Sequence, residues 1–280
     1  MRFVNIDGRA GILVGSGVID VHTATEGAFG PDITSCLERW DAFVDAVRSA
    51  PPTAPRPVDA AELGAPVPRP RQIFAIGLNY ADHARETGTA TPEYPVVFTK
   101  FASSLTGPVT TVTLSSDTVD YEAELVVVIG RTARNVSEAD ARDHIAGLTV
   151  GQDISDRNIQ TRGGAGAQWS LGKSLPGYSP IGPALVTLDE ISHPDDLAIT
   201  GRAGDEVLQD SRTSELIFTV PQLVAFLSSN VTLYPGDLIF TGTPSGVGIG
   251  RDPKRYLRSG ETLVTEIEGL GRLETTFVDA

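Results

Sequence analysis

The strongest chemical signal in the sequence is a pair of glutamates, Glu122 and Glu124, at the head of an apolar strand pattern. Side chains alternate between the two faces of a strand, so both carboxylates point the same way, along a face that Val126 and Val128 continue. Carboxylates beside a buried face repel each other and lose hydration unless a positive charge lies between them. A hard divalent cation would meet that need, because such ions prefer oxygen ligands. A solvent-exposed strand end with two ordinary glutamates is the alternative.

A third carboxylate, Asp153, closes the following strand pattern, where it could meet the glutamate pair. Asp156 could instead be an ordinary N-terminal helix cap. If residues 155–160 form a helical turn, Arg157 and Gln160 share one face of it. The guanidinium could then bind a substrate carboxylate through two parallel hydrogen bonds.

A histidine and a glutamate, His83 and Glu86, stand three residues apart in a short helical pattern that Gly88 ends. This spacing places them on one helix face, where the carboxylate raises the basicity of the imidazole and fixes its tautomer. Such a pair can deprotonate water. An ordinary ion pair on a helix surface is the alternative.

Two further candidates, Lys173 and Thr243, lie near glycine-rich segments. Lys173 could stabilise an enolate, form a Schiff base or be a surface lysine. Thr243 could donate its hydroxyl and its backbone N–H to a carboxylate. The spacing Ser170-x-x-Lys173 matches that of serine–lysine acylases, but their other motifs are missing, and neither GxSxG nor a phosphate-binding loop occurs.

Strands must position most of these residues. Strand patterns occur at 72–77, 95–99, 119–130, 146–152, 181–187, 206–209, 237–241, 262–268 and 272–278, and short helical patterns at 137–146 and 220–229. Strands do not alternate with long helices, which disfavours a doubly wound sheet. We predict an α+β, mainly β fold: a mixed β-roll or sandwich with short peripheral helices.

The first 70 residues form a separate unit in this interpretation. Apolar residues spaced by three and four predict an amphipathic helix over 34–48, with Cys36 on its buried face. Seven prolines between positions 51 and 70 indicate a stiff linker. We therefore predict a small N-terminal domain with its linker, 1–70, followed by a main domain, 71–280.

Composition excludes several classes of protein. The 280 residues carry 22 basic and 36 acidic side chains, a formal net charge of −14 at pH 7. An acidic surface repels phosphate groups, so neither nucleic acid nor an anionic membrane is an expected partner. No apolar run approaches the ~20 residues of a membrane-spanning helix, the N-terminus lacks a signal-peptide pattern, and a single cysteine excludes an internal disulfide. These features predict a soluble, cytoplasmic protein.

The ordered set of motifs resembles the fumarylacetoacetate hydrolase (FAH) family. From residue 71 onward the motifs are GLNYADHARE, DYEAELVVVIG, QDISDRNIQ, QWSLGKS, GDEVLQDS and GDLIFTGTPSGVG. Each is weak alone, whereas the collinear set is specific. The resemblance implies an FAH-type catalytic domain over 71–280, a homodimer, and one Mg²⁺ or Mn²⁺ ion, for which Ca²⁺ could substitute.

The resemblance also implies roles for the site residues. Three would be metal ligands: Glu122, Glu124 and Asp153. Three would be catalytic: the water-activating pair His83 and Glu86, on a lid that orders when substrate binds, and Lys173, beside a developing enolate. Three would bind the substrate: Arg157, Gln160 and Thr243.

The sequence departs from the family pattern at two places, after Lys173 and at the turn 204–206. Leu175-Pro176 replaces the Phe-Asp that follows the GKS motif in many members, which removes an acidic partner from Lys173. The usual Asn-Gly-Glu turn appears as Gly204-Asp-Glu206, which we interpret as structural.

The activity implied is hydrolysis of a C–C bond in a 2,4-diketo acid, such as an acylpyruvate, to a pyruvate-type acid and a carboxylic acid. An isomerase, tautomerase or decarboxylase of a 2-oxo diacid, acting through the same metal-bound enolate, is the first alternative. A Schiff-base lyase using Lys173 and a non-catalytic binding protein are alternatives of other classes. The sequence does not identify the acyl group, which we expect the lid (84–95), the loop 163–168 and the N-terminal unit to select.

Overall fold

The structure, a computed structural model, describes residues 1–86, 88, 90–162 and 167–280. Its strands are β1 (Arg2–Ile6), β2 (Arg9–Val14), β3 (Gly17–Asp20), β4 (Arg56–Pro57), β5 (Leu63–Gly64), β6 (Ile73–Gly77), β7 (Val96–Thr99), β8 (Leu105–Thr106), β9 (Val109–Thr113), β10 (Val119–Asp120), β11 (Ala123–Ile129), β12 (Ile145–Gln152), β13 (Ser155–Asp156), β14 (Ser179–Val186), β15 (Ala198–Ala203), β16 (Glu206–Arg212), β17 (Leu238–Phe240), β18 (Thr262–Ile267) and β19 (Gly271–Val278). Its α-helices are α1 (Val21–Ala24), α2 (Ile33–Leu37), α3 (Trp40–Ser49), α4 (Ala81–Glu86), α5 (Arg157–Gln160), α6 (Trp169–Gly172) and α7 (Val220–Asn230).

A large mixed sheet of twelve strands carries β11 and β12 near its middle. The main path through this sheet runs β4-β3-β2-β1-β14-β12-β11-β17-β6-β7, while β5 pairs with β1 and β8 with β14. Strands β11 and β12 are antiparallel, with Ala123 opposite Gln152 and Glu124 opposite Gly151. Because of this register, the residues that follow the end of β12 lie beside those that precede β11.

Both faces of β11 are buried, which explains its unbroken apolar run. Leu125 and Val127 share a core with residues of the second sheet, whose order is β16-β15-β18-β19-β9. Val126 and Val128 share another core with Phe3 and with the N-terminal helices α2 and α3. Layers of sheet and short helix around a central strand confirm the predicted α+β, mainly β fold.

The N-terminal segment 1–70 adds strands to the large sheet, since β1 pairs with β14. Its proline-rich part also contributes core residues, Leu63 and Val67. None of the helices in the described residues combines the length and the apolarity that a membrane span requires.

Some predicted elements differ in the structure. The single helix predicted over 34–48 is divided into α2 and α3, and Arg39 leaves the helical conformation at the break, where its guanidinium lies 4.6 Å from the centre of the Phe29 ring. The helix predicted over 137–146 is reduced to the 3₁₀ turn Ala141–His144, because Ile145 already belongs to β12.

Candidate active site

Three carboxylates meet at the end of the β11–β12 pair. One oxygen each from Glu122, Glu124 and Asp153 lies within 4.8 Å of the others, and all three side chains are buried. The Asp153 N–H donates to the Glu122 carbonyl oxygen at 2.9 Å, which continues the pairing of the two strands by one residue. Buried carboxylate oxygens at this spacing fit a hard divalent cation such as Mg²⁺ or Mn²⁺.

Three buried cations surround these carboxylates. The Lys173 Nζ donates to Glu122 Oε2 and to Asp153 Oδ2, at 2.6 Å in each case. The Arg157 guanidinium lies 2.7 Å from Glu122 Oε1, and Lys100 donates to Asp153 Oδ1. Burial raises the pKa of Glu122, but the charges of Lys173 and Arg157 outweigh burial and lower this pKa to about 2.

Glu124 is the least compensated member of the cluster. Its Oε2 accepts a hydrogen bond from the Gly242 N–H at 2.8 Å. Burial and the like charges of Asp153 and Glu122 raise the pKa of Glu124 well above its ordinary value. A divalent cation among the three oxygens would supply the missing positive charge, so the electrostatics agree with the donor chemistry.

The predicted acid–base pair lies on α4. The His83 Nδ1 is 3.5 Å from Glu86 Oε2, and His83 is buried. The Gly246 N–H holds the Glu86 carboxylate, at 3.0 and 3.1 Å from its two oxygens. The Ser245 hydroxyl donates to Asp82 Oδ2 at 2.7 Å. Helix α4 is therefore fixed to the loop after β17 at two points.

One cavity of about 260 Å³ brings the two groups of residues together. Its polar lining comes from His83, Glu122, Arg157, Gln160, Thr161, Lys173 and Thr243. Its apolar lining comes from Ile76, Leu78, Phe98, Trp169 and Ile249. Sites for drug-sized ligands occupy ~300–1,000 Å³, so a smaller cavity that contains charged side chains suits a small organic acid. A more open depression of about 500 Å³, beside Lys254 and Asp279, contains none of the predicted site residues.

The predicted substrate-binding pair on α5 is rigidly held. Asp156 caps this helix by accepting from the Ile159 N–H at 3.0 Å, which agrees with its interpretation as a cap. The Arg157 guanidinium donates to Gln160 Oε1 at 2.7 Å and to Asp120 Oδ2 at 2.8 Å. Burial lowers the pKa of Arg157, but Asp120 and Glu122 outweigh it, and the net shift is upward.

Lys173 is buried and ion-paired, which excludes its interpretation as a surface lysine. Burial lowers the pKa of Lys173, but Asp153 and Glu122 raise it further, so the ammonium form is favoured. A Schiff base requires the neutral amine, so this environment favours the role of a cation. The replacement Leu175-Pro176 therefore does not leave Lys173 without acidic partners.

Two residues of the site were not predicted. Lys100 follows β7, is buried, and donates to Asp153 and to the Lys173 carbonyl oxygen. Asp120 holds the loop after β17 by accepting from Gly248 N–H at 2.7 Å. Asp120 could have been predicted from the sequence, because it stands in the same motif as Glu122. No motif pointed to Lys100, because its partners are distant in sequence.

The predicted selectivity segments are only partly described. Residues 87 and 89 of the lid 84–95 lie outside the described residues. Residues 163–166 of the loop 163–168 also lie outside them. What the structure describes of the lid is the end of α4 and an irregular segment, with bends at residues 93 and 94, that leads to β7.

Comparison with known proteins identifies relatives over nearly the whole chain. A family model described as fumarylacetoacetate hydrolase, C-terminal, matches residues 72–278. The chain is 42% identical over 261 residues to "Oxaloacetate tautomerase FAHD2A, mitochondrial" of Bos taurus, an alignment that covers 92% of this chain and 82% of the relative.

Solved structures agree with this relationship. A crystal structure of a protein from Mycobacterium smegmatis matches with a TM-score of 0.96 and 53% identity, with both chains fully covered. The maleylpyruvate hydrolase of Sphingobium sp. SYK-6, solved with manganese(II) and pyruvate, matches with a TM-score of 0.82 and 29% identity, again over the whole of both chains.

The comparison corrects one prediction. The curated relatives from cattle and human are named as mitochondrial proteins, so the predicted cytoplasmic location is wrong. The physical reason is that an acidic composition and the lack of a long apolar run distinguish water from membrane, but not one aqueous compartment from another.

Proposed function

The chain belongs to the fumarylacetoacetate hydrolase family, and on this premise we propose that it interconverts the keto and enol tautomers of a small 2-oxo diacid such as oxaloacetate. The observation that carries the proposal is one small cavity lined by His83, Lys173 and Glu122, the last of which belongs to the carboxylate cluster. The identity of 42% to an oxaloacetate tautomerase favours this reaction over C–C hydrolysis.

The reaction moves one proton between C3 and the C2 oxygen of the acid. Glu122, Glu124 and Asp153 would hold a divalent cation, which would act as a Lewis acid and stabilise negative charge on substrate oxygen. His83 removes a proton from C3, and the carboxylate of Glu86 stabilises the imidazolium that forms. The His83 imidazolium then gives this proton to the C2 oxygen, which completes the enol and returns the imidazole to its neutral form, and the reverse direction retraces these steps.

The other site residues bind and orient the acid in this proposal. The Lys173 ammonium stabilises the charge that develops on the C2 oxygen. Arg157, Gln160 and Thr243, which line the same cavity, hold the carboxylate oxygens. The apolar wall around Phe98 and Trp169 limits the size of the substrate.

Product analysis tests the proposal. The protein is incubated with enol-oxaloacetate in the presence of Mg²⁺ or Mn²⁺, and the keto form, pyruvate and CO₂ are measured separately. We expect ketonisation faster than the spontaneous reaction, with no pyruvate or CO₂ above the background, and loss of the acceleration in EDTA. Release of CO₂ with pyruvate would assign a decarboxylase instead, and no acceleration by the metal-loaded protein would contradict the proposal.

Hydrolysis of a 2,4-diketo acid is the second candidate. It is favoured by the His83–Glu86 pair, which could activate water as well as remove a proton from carbon. The likeness to maleylpyruvate hydrolase also supports hydrolysis, although the identity of 29% is lower than the 42% to the tautomerase. Acetylpyruvate is the matching substrate, and formation of pyruvate plus acetate at a rate exceeding oxaloacetate ketonisation would favour this candidate.

A further inference from the structure

A buried glutamine, Gln209, connects the two sheets at the site. It lies on β16 of the second sheet, and its Oε1 accepts from the Ala123 N–H of β11 at 2.9 Å. Its Nε2 donates to Thr243 Oγ1 at 2.7 Å and to the Pro244 carbonyl oxygen at 2.9 Å. One amide therefore contacts both the first residue of β11, which lies between Glu122 and Glu124, and the loop that carries Thr243.

The orientation of this amide is fixed by its partners. The Ala123 N–H can only donate, and the Pro244 carbonyl can only accept. The opposite orientation would place two donors against each other at Ala123 and two acceptors against each other at Pro244. The Gln209 oxygen therefore faces Ala123, its NH₂ group faces Pro244 and Thr243, and the Thr243 hydroxyl oxygen must accept.

This hydrogen bond determines what the Thr243 hydroxyl can do next. A hydroxyl carries one hydrogen to donate and lone pairs to accept. Because the oxygen accepts from Gln209, the hydrogen is left to donate, and among the described residues no acceptor for it is found. Thr243 lines the 260 Å³ cavity, so a bound anion would meet this hydrogen there.

We propose that Gln209 is a positioning residue that makes the Thr243 hydroxyl a donor to the carboxylate of a bound 2-oxo acid. The inference rests on the proposed function only in taking the ligand to be such an acid. It gives a role to the GDEVLQDS motif, whose turn we interpreted as structural. Gln209 and Thr243 are 34 residues apart, so sequence spacing alone does not connect them.

The test is the substitution Gln209→Glu, which keeps the shape of the side chain. The ionised carboxylate still accepts from the Ala123 N–H but cannot donate to Thr243 or to the Pro244 carbonyl oxygen. It accepts from the Thr243 hydroxyl instead and turns that hydrogen away from the cavity. The probe is oxalate, a planar dianion that resembles the enolate of a 2-oxo acid, and its binding to the Mg²⁺-loaded protein is measured by calorimetry without turnover.

Gln209→Glu and Thr243→Val are each expected to weaken oxalate binding by about 10- to 100-fold, the range for a hydrogen bond to a charged group. The double variant should be no weaker than either single variant, because both remove the same hydrogen bond. Thr243→Ser, which keeps the hydroxyl, should restore binding. A purely structural role of Gln209 would instead make the two losses multiply, and that result would overturn the proposal.

A second variant covers the case in which Gln209→Glu does not fold. Gln209→Met keeps the length of the side chain but removes its donor, so the Thr243 hydroxyl can rotate freely. We expect a several-fold loss of oxalate affinity that disappears when Thr243 is already valine. Wild-type affinity in Gln209→Met would overturn the inference. Failure of oxaloacetate turnover alone would contradict the proposed function and leave this result standing.

Discussion

At the scale of single residues, the site is a cluster of buried charges that neutralise one another. Lys100 is an exception, since burial lowers its pKa and the charge of Asp153 opposes that shift without cancelling it. The chemistry of the predicted residues was readable from motifs, because each motif is local. The partners of Lys100 lie 53 and 73 residues away, and only the folded chain brings them together.

Lys100→Met should therefore destabilise the metal-free protein. The variant removes one of the two buried cations that contact Asp153, the other being Lys173, and breaking a buried ion pair costs about 3 kcal/mol of unfolding free energy. Mg²⁺ should recover part of this loss by supplying positive charge to Asp153. Urea denaturation with and without Mg²⁺ measures both effects, and the exposed Lys254→Met is the control. Equal stability of Lys100→Met and the wild type would contradict the electrostatic account.

Cys36 provides a second test at this scale. Burial raises the pKa of its thiol to about 11. Because the folded protein favours the neutral thiol, Cys36 contributes to the free energy of unfolding fully at pH values below the ordinary thiol pKa. This contribution is lost as the pH rises through about 11, where the folded thiol ionises. At pH 8 we expect the reagent DTNB to modify the native protein about 100-fold more slowly than the urea-unfolded chain, because thiolate is the reactive form. Equal rates would show that Cys36 is accessible.

At the scale of elements, the register of β11 and β12 assembles the carboxylates, and the loop after β17 fixes α4. Most strands were predictable, because apolar runs such as β11 and β12 are strong signals. Strand β15 was missed, because Gly201 and Arg202 interrupt its pattern, and it forms by pairing with β16 and β18. The break between α2 and α3 was likewise invisible to apolar spacing, which continues across it.

Gly246→Ala tests the link between this loop and the acid–base pair. Gly246 has φ +105°, and a Cβ there would lie 2.2 Å from the Leu208 carbonyl oxygen, so the loop must shift and carry Glu86 with it. We expect turnover to fall by about 100-fold, a typical cost of a 1 Å misplacement, with Mg²⁺ affinity unchanged. The control is Gly204→Ala, which has φ +57° but open space around it. Equal activity of both variants would refute the link.

At the scale of the whole molecule, the N-terminal strands complete the sheet on which the site is built. We retain as proposals the division into 1–70 and 71–280 and the homodimer implied by the family. Light scattering coupled to size-exclusion chromatography tests the homodimer. A homodimer requires twice the chain mass of 29.6 kDa, and elution at 29.6 kDa itself would exclude it under the conditions used.

The most direct test of the account is the rate at which enol-oxaloacetate becomes the keto form, followed by loss of enol absorbance with Mg²⁺-loaded protein. Wild type is compared with His83→Gln, which keeps a polar side chain but removes the acid–base group. We expect His83→Gln to lower the catalysed rate by about 10²–10⁴-fold while binding Mg²⁺ normally. A His83→Gln protein as fast as the wild type would contradict the central claim that His83 transfers the proton in this cavity.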